Sequence, residues 1–238
     1  MHIFTDLDGT LIQDGAIKES DILKIRKFTQ QGNKISIATG RSYSSIKHLK
    51  GAIDFEYCIC CNGAYIVDKN EKVIYANTFE EKTFKKLLKL QSDKYTSGIS
   101  NGDTFIIRDG KDKPFANPVF LNYSPKKKSQ KLANEMVEQI KALKLDKEIE
   151  ISVNGTHVDI GPANASKGIA IAYLANKFKI DTNDIFVVGD QKNDISMFDL
   201  FENSYCIRVG NKEAKKAANT IVRNVGDLIS EETFTILK

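Results

Sequence analysis

Apolar and polar residues in the first third of the chain alternate between the patterns typical of strands and of helices. Apolar runs of strand length occupy residues 2–5, 34–38 and 57–61. Between the first two runs, Ile22, Ile25 and Phe28 recur at helical spacing, and Ser20 is the expected N-cap. A short helix is expected over 42–49. This order of strands and helices predicts a parallel sheet covered on both sides by helices.

The pattern changes at about residue 80. Between there and residue 160, two amphipathic helical stretches are mixed with short alternating segments, and Met136 and Ile140 lie on the apolar face of the second helix. Strands are expected at 104–108, 119–123, 148–153 and 156–160. This mixture predicts a separate α+β unit with its helices on one face of an antiparallel sheet.

After Pro162 the alternation of strands and helices resumes. A helix is expected from Lys167, followed by strands at 184–188 and 205–209 and then more helix to the C-terminus. We therefore predict an α/β fold, a Rossmann-like doubly wound parallel sheet core with an inserted α+β cap domain. The core domain is expected to comprise residues 1–79 and 161–238, and the cap residues 80–160.

Composition narrows the class of protein. The 238 residues are 41% hydrophobic and 28% charged, which is typical of a globular protein, and the net charge of +4 is spread along the chain. No apolar run reaches the ~18 residues of a membrane-spanning helix, and no basic patch with interleaved aromatic residues indicates nucleic-acid binding. Four cysteines fit a reducing compartment. We expect a cytoplasmic monomer or homodimer with no membrane or nucleic-acid partner.

Two acidic groups follow strands of the predicted sheet. Asp6 and Asp8 end the first strand, and Asp190 and Asp194 follow a late strand. A turn at the end of the strand would by itself explain the first group, and a helix N-cap would by itself explain the second. If the strands are neighbours, the four carboxylates converge, and each like-charged pair about 4 Å apart costs on the order of 4 kcal/mol at an effective dielectric constant near 20. A bound cation would remove this cost, and a site of oxygen ligands favours Mg²⁺.

Two further segments could hold an anion at the same edge of the sheet. Thr39 and Gly40 follow the second strand and would offer a hydroxyl group and a backbone N–H. Lys167 opens a predicted helix, where its charge opposes the helix dipole unless it reaches an anion. Taken alone, Lys167 could equally be an ordinary surface lysine. Together with the acidic groups, these residues indicate phosphoryl transfer.

Phosphoryl transfer assigns a role to each candidate residue. We expect Asp6 to attack phosphorus and form an aspartyl-phosphate, and Asp8 to protonate the leaving oxygen and then activate water. Asp6, Asp190 and the backbone carbonyl of Asp8 are expected to hold Mg²⁺. Asp194 is expected to contact the metal through water. The residues expected to bind the phosphoryl group are Thr39, Gly40, Lys167 and Asn193.

The combination of segments resembles the four ordered motifs of the haloacid dehalogenase (HAD) superfamily, and more narrowly its Cof-type phosphatases with a class IIB cap. The matching segments are Asp6-Leu7-Asp8-Gly9-Thr10-Leu11, Thr39-Gly40-Arg41, Lys167-Gly168 and Gly189-Asp190 with Asn193-Asp194. The inserted unit lies between the second and third motifs, as in that group, and Asn62-Gly63-Ala64 is similar to a stretch usual there. The resemblance implies a Mg²⁺-dependent phosphatase acting on a small phosphorylated metabolite, often a sugar phosphate or a related phosphomonoester.

Three other functions use similar residues. A phosphomutase of the same superfamily would return the phosphoryl group to the sugar instead of to water. A phospho-accepting receiver also joins acidic residues, a Thr and a Lys on a parallel sheet, but its acidic pair and its acceptor normally lie on different strands. A binding module without turnover predicts that Asp6→Asn leaves ligand affinity unchanged.

Several residues have two interpretations. Core packing is expected for the clustered cysteines, Cys58, Cys60 and Cys61. His157 is expected to be a surface or hydrogen-bonded histidine, although it could line the substrate entrance. Arg41 could contact the substrate or the cap, or form a structural salt bridge. The candidates for substrate selection in the insert are Arg108, Asn117 and Asn154.

Overall fold

The chain folds around two sheets in the computed structural model. The structure describes residues 1–108 and 115–236, and it describes side chains only as far as residue 230. The strands are, in chain order, β1 (His2–Thr5), β2 (Lys34–Ala38), β3 (Tyr57–Cys60), β4 (Tyr65–Asp68), β5 (Val73–Ala76), β6 (Tyr95–Ser100), β7 (Phe105–Arg108), β8 (Phe120–Pro125), β9 (Ile149–Asn154), β10 (His157–Pro162), β11 (Ile185–Gly189), β12 (Asn203–Ile207) and β13 (Thr220–Val222). The helices are α1 (Glu19–Gln30), α2 (Glu81–Leu88), α3 (Gln130–Ala142), α4 (Lys167–Phe178), α5 (Ile195–Phe198), α6 (Lys212–Ala217) and α7 (Val225–Ile236). Short 3₁₀ turns lie at Tyr43–Ser45, Lys47–Leu49, Cys61–Gly63, Thr182–Asp184 and Lys192–Asp194.

The larger sheet has eight strands in the order β13-β12-β11-β1-β2-β3-β4-β5. Its strands from β13 to β3 pair in parallel, and β4 and β5 extend the β3 edge as antiparallel strands. The central strand β1 lies between β11 and β2, so that Thr5 pairs with Val188 on one side and with Ile37 on the other. The expectation of an α/β fold around a parallel sheet is confirmed.

Alternating side chains of the central strands supply two apolar layers. On β1, Ile3 packs into the layer that contains Phe28 of α1, whereas Phe4 packs into the layer that contains Leu174 of α4 and Met197 of α5. This alternation has the period of two that an extended strand imposes. The sheet is therefore covered by helices on both faces, as its apolar runs predict.

The smaller sheet has five antiparallel strands in the order β7-β6-β8-β10-β9. One of its faces packs against α2 and α3 through a cluster that includes Phe84, Leu87, Met136 and Ile140. This sheet with helices on one side fits the expected α+β cap. The division at residues 79/80 and 160/161 stays a prediction, and β10 continues in the smaller sheet to Pro162.

Local differences from the expected elements have local causes. Helix α1 begins at Glu19, with the extended residue Lys18 in the N-cap position and no side-chain cap bond, so Ser20 is not the cap. The helix expected over 42–49 is a pair of 3₁₀ turns. Strand β6 escapes the sequence pattern because its sequence, Tyr-Thr-Ser-Gly-Ile-Ser, lacks a run of apolar residues.

Candidate active site

The polar residues of the site follow three neighbouring parallel strands. Asp6 follows β1, Thr39 follows β2 and Asp190 follows β11, so their side chains meet at the carboxyl edge of the larger sheet. Backbone bonds extend the strand pairing into this edge, with Asp6 N donating to Val188 O at 2.8 Å. Open α/β sheets bind ligands at this edge. The sequence expectation that β1 and the late strand are neighbours is confirmed.

Three buried carboxylates meet at this edge. Asp6, Asp190 and Asp194 each place one carboxylate oxygen within 4.8 Å of the others. Asp190 accepts hydrogen bonds from Thr10 Oγ1 at 2.9 Å and from Gln191 Nε2 at 2.7 Å. Burial raises the pKa of Asp190, and the nearby Asp194 charge raises it further.

Lys167 lies in the middle of this cluster. Its side chain is fully buried, and Nζ donates to Asp6 Oδ1 and to Asp194 Oδ1, both at 2.6 Å. Burial by itself lowers the pKa of Lys167, but the Asp194 and Asp6 carboxylates outweigh burial and raise it. Lys167 is therefore a buried ammonium ion that reaches anions, and the alternative of an ordinary surface lysine is wrong.

Burial is the largest of the influences on the pKa of Asp6. It raises the pKa of Asp6 to about 8, with the Asp194 and Asp190 charges adding to the rise and Lys167 opposing it. When all four groups are ionised, the cluster holds an excess of two negative charges. Carboxylate oxygens are the ligands that a divalent cation such as Mg²⁺ prefers, so the donor set fits this ion.

Asp194 is tied to the start of the following turn. Its Oδ2 accepts from the backbone N–H groups of Asp190 and Gln191, both at 2.8 Å, while Oδ1 accepts from Lys167. Gln191 is the N-cap of this 3₁₀ turn, and Asp194, three residues later, accepts from its N–H as in a capping box. The interpretation of Asn193 or Asp194 as the N-cap itself is therefore wrong. Asp194 combines this capping-box contact with a place in the acidic cluster.

The carboxylate of Asp8 does not join the buried cluster. Its side chain is 54% exposed and receives two bonds from Arg41, from Nε at 2.8 Å and from Nη2 at 2.5 Å. Three of the four carboxylates converge as expected, and Asp8 does not. The reason is that β1 ends at Thr5, so the alternation of side chains along an extended strand no longer applies at Asp8. Of the alternatives for Arg41, the structure shows the salt bridge, and its partner is Asp8, the residue expected to act as the general acid.

Thr39 and Gly40 lie beside the cluster as expected. Thr39 is buried, and its Oγ1 accepts from the backbone N–H of Arg41 at 3.2 Å. A Cβ atom on Gly40 would lie 3.2 Å from Asn62 Oδ1, which leaves little room for a side chain. Asn193, the fourth predicted phosphate ligand, donates from Nδ2 to Asn62 Oδ1 at 3.0 Å.

Asn62 links the two sheets, a role that the resemblance noted at Asn62-Gly63-Ala64 did not indicate. It has a left-handed backbone with φ of 53°, and its Nδ2 reaches Asp159 Oδ2 of β10 at 3.4 Å. The next residue, Gly63, has φ of 103°, and a Cβ atom there would lie 2.2 Å from the backbone oxygen of Ser166. Only glycine allows this approach, which places Lys167 beside the end of β3.

A cleft lies beside the site, between the segment that follows β2 and the smaller sheet. Its cavity of about 660 Å³ is lined by Gly40 and Arg41 from the larger sheet and by residues of the smaller sheet that include Asn154, His157 and Asp159. His157 is exposed and pairs its Nδ1 with Ser124 Oγ at 2.7 Å. His157 therefore fits both sequence interpretations, since it is hydrogen-bonded and also lines the entrance.

The clustered cysteines belong to the core. Cys58, Cys60 and Cys61 are buried free thiols, and burial raises the pKa of Cys58 and of Cys61 to about 12. Core packing, the interpretation favoured by the sequence, is confirmed. Within the described residues, no helix combines the length and the apolar character needed to cross a bilayer.

The comparisons with known proteins assign this Rossmann-like core and its inserted sheet to a family of hydrolases that includes phosphatases. Residues 3–227 match the family model of the haloacid dehalogenase-like hydrolases, so the chain belongs to this family. The resemblance noted in the sequence is thereby confirmed. Phosphatases of this superfamily generally use Mg²⁺, and the buried acidic cluster could bind such an ion.

Individual relatives agree with this assignment. The Bacillus subtilis protein 5-amino-6-(5-phospho-D-ribitylamino)uracil phosphatase YwtE is 23% identical over an alignment of 265 positions, which covers 93% of this chain and 92% of YwtE. The structure of SMU.1108c from Streptococcus mutans has a TM-score of 0.85 at 17% identity and covers 98% of both chains. The HAD subclass IIB sugar phosphatase BT4131 has a TM-score of 0.77 at 18% identity, again over 98% of both chains.

Proposed function

We propose that this phosphatase hydrolyses a small phosphomonoester in a Mg²⁺-dependent reaction that passes through an aspartyl-phosphate on Asp6. The observation that carries the proposal is the buried contact of Lys167 Nζ with Asp6 and Asp194 at the carboxyl edge of β1. A buried ammonium ion between two carboxylates reduces the repulsion that an anionic nucleophile exerts on an anionic phosphoryl group.

The metal site in this proposal consists of oxygen atoms only. Asp6 and Asp190 supply carboxylate oxygens, the backbone carbonyl of Asp8 supplies the third, and Asp194 acts through water. When bound, the ion supplies charge neutralisation and polarisation of the phosphoryl oxygens. A bound cation would stabilise the negatively charged cluster, because its buried carboxylates have lost their contact with bulk water.

The chemistry takes place in two steps. A carboxylate oxygen of Asp6 forms a bond to phosphorus while the bond from phosphorus to the leaving oxygen breaks, and Asp8 donates its proton to that oxygen. Water then attacks phosphorus, Asp8 takes a proton from the water, and the bond to Asp6 breaks to release inorganic phosphate. Asp8 suits this role because it lies two residues after Asp6 with an exposed carboxylate, which accepts two hydrogen bonds from Arg41 of the cleft wall.

The remaining predicted residues would bind the phosphoryl oxygens. The Thr39 hydroxyl, the Gly40 N–H and the Asn193 amide lie around the same edge, and Lys167 adds charge. Asn193 Oδ1 is buried without a hydrogen-bond partner, so the orientation of this amide depends on its single bond to Asn62. A bound phosphoryl group would accept hydrogen bonds from the Thr39 hydroxyl, the Gly40 N–H and the amide nitrogen of Asn193.

The substrate is proposed to be a small phosphorylated metabolite, such as a sugar phosphate or a related phosphomonoester. A cytoplasmic location and a monomeric or homodimeric state remain predictions. Support for a reducing compartment comes from the four free and buried thiols, Cys58, Cys60, Cys61 and Cys206.

The test is release of inorganic phosphate from a panel of phosphomonoesters, with Mg²⁺ and with a chelator. The proposal predicts release that needs Mg²⁺ and is lost in Asp6→Asn, while circular dichroism shows that the variant is folded. Isomerised sugar phosphate without free phosphate would instead favour a phosphomutase. Phosphate release that is unchanged in Asp6→Asn would overturn the assignment of the nucleophile.

A further inference from the structure

The smaller sheet turns a chemically divided face toward the cleft. We call it the cleft face and define it by six residues of four strands of the sheet: Phe105 and Ile107 of β7, Phe120 and Asn122 of β8, Asn154 of β9 and Asp159 of β10. The apolar members lie toward β7, and the amide and carboxylate members lie toward β10 and β9. A ligand that spans the cleft would therefore meet an apolar surface at one end and a polar surface at the other.

The apolar half is open to the cavity. Phe105 is 38% exposed and Ile107 is 68% exposed, and both line the cleft. The Phe105 ring lies over Gly98 of β6, where a Cβ atom would fall 2.0 Å from Phe105 Cζ. The missing side chain lets the ring lie across the sheet and present a broad apolar surface. Exposed aromatic and aliphatic groups in a concave site are typical surfaces for the ring of a ligand.

The polar half is organised around one buried carboxylate. Asp159 is 8% exposed and accepts from Asn122 Nδ2 at 2.6 Å, Asn154 Nδ2 at 3.2 Å and Asn62 Nδ2 at 3.4 Å. These bonds orient both cleft-face amides with their nitrogen atoms toward Asp159. Asn154 Oδ1 consequently points away from Asp159, and it is buried with no hydrogen-bond partner. A buried acceptor of this kind calls for a donor, which a ligand could supply as an N–H or O–H group.

We propose that the cleft receives the alcohol part of the substrate as a flat heterocyclic ring carrying N–H or O–H donors, so that the substrate is a nucleotide-like phosphomonoester. This inference rests on the proposed function, because Gly40, one of the proposed phosphate-binding residues, lines the same cavity together with Arg41. The volume of about 660 Å³ is within the usual range for small-molecule sites, roughly 300–1,000 Å³. A bare sugar would leave Phe105 and Ile107 uncovered.

The test compares two substrates that differ by the ring alone. Uridine monophosphate, phosphorylated on the primary hydroxyl of ribose, is compared with the corresponding ribose monophosphate. The proposal predicts that kcat/KM for the uridine ester is at least about tenfold higher, as expected for a buried ring contact. In Phe105→Ala the ratio should fall toward one, whereas Phe105→Tyr keeps an aromatic ring and should keep the preference.

A control and a binding measurement separate this inference from the proposed function. Leu23→Ala removes an apolar side chain of similar exposure from α1, outside the cleft, and should leave the ratio unchanged. If neither ester nor p-nitrophenyl phosphate is hydrolysed, the proposed function fails, and calorimetry with Asp6→Asn still measures both affinities. At least about tenfold tighter binding of the uridine ester would support the inference. Equal affinities, or equal kcat/KM values in an active enzyme, would overturn it.

Discussion

Lys167 Nζ lies 2.6 Å from Asp6 Oδ1, although the two residues are 161 positions apart in the chain. The contact joins the end of β1 to the start of α4, and the whole smaller sheet is inserted between these two elements. Both side chains are buried, so neither charge can be solvated in place of the contact. The same pair therefore connects the two elements that flank the insertion and brings the proposed nucleophile together with its neutralising charge.

Removal of the lysine charge should destabilise the protein. Lys167→Met leaves the buried carboxylates of Asp6 and Asp194 without their cation, and breaking a buried ion pair costs about 3 kcal/mol or more. Urea denaturation with a chelator present measures this loss as a lower midpoint. The matched variant Lys82→Met, at an exposed position of α2, should change stability by less than about 0.5 kcal/mol. Equal midpoints for the two variants would contradict a buried, charged Lys167.

Arg41 should affect catalysis more than stability. Its two hydrogen bonds to Asp8 join side chains that are 36% and 54% exposed, so Arg41→Gln should lower the free energy of unfolding by less than about 1 kcal/mol. We expect kcat/KM to fall at least about tenfold, because Asp8 loses the two hydrogen bonds that orient its carboxylate. Arg223→Gln breaks a comparable pair with Asp227 at 2.7 Å, away from the cleft, and is the control. Similar activity in both variants would show that the Arg41 pair is only structural.

The framework of the site follows from sequence pattern and topology. Asp6, Thr39 and Asp190 come directly after apolar runs, and parallel strands that are neighbours must end at a common edge. Lys167 stood out because a lysine in the first turn of a helix opposes the helix dipole. These local features suffice to place four residues of the site on the correct edge of the sheet.

The remaining contacts depend on how distant segments meet. The orientation of Asp8 could not be read from strand periodicity, since the backbone has already left β1 at that point. The bond from Asn62 to Asp159 joins residues 97 positions apart, and no local pattern reveals which face of the smaller sheet turns toward the site. Strand β6 was missed because Thr96, Ser97 and Gly98 interrupt its apolar alternation.

Metal affinity should depend on Asp190. Asp190→Asn removes one charge from the acidic cluster, so the Mg²⁺ concentration that gives half-maximal phosphate release should rise at least about tenfold. Added Mg²⁺ should raise the melting temperature of the wild type and should raise that of Asp190→Asn much less. Asp199→Asn, at an exposed position after α5, should retain the wild-type response. An unchanged Mg²⁺ requirement in Asp190→Asn would remove this residue from the metal site.

His2 should make stability depend on pH. Its ring is 3% exposed, stacks on Phe4 with centroids 4.2 Å apart and shares a hydrogen bond with Ser36 Oγ at 2.8 Å. Burial lowers the pKa of His2 to about 3, with the charges of Lys34 and the N-terminus adding to the effect. The unfolded chain thus binds the proton more readily, so the stabilising contribution is present above about pH 6.5 and is lost as the pH falls toward 3.

The size of this effect follows from the difference between the two pKa values. At pH 5 protonation of the unfolded state should lower stability by about 2 kcal/mol relative to pH 7. Denaturation midpoints of the wild type and of His2→Gln, measured across this range, isolate the contribution of the one histidine. The difference between the two curves should change with pH. Parallel curves would mean that His2 takes up a proton in the folded state without cost.

The most direct measurement is acid quenching of the enzyme during turnover of a phosphomonoester, followed by peptide mapping by mass spectrometry. The account predicts that one phosphoryl group is found on the peptide that contains Asp6, and that the labelled peptide is absent from Asp6→Asn. Substitution of Asp8 by Asn should slow hydrolysis of this intermediate, because no carboxylate activates the water, and so should increase the labelled fraction. A phosphoryl group on another residue, or label that persists in Asp6→Asn, would contradict nucleophilic attack by Asp6.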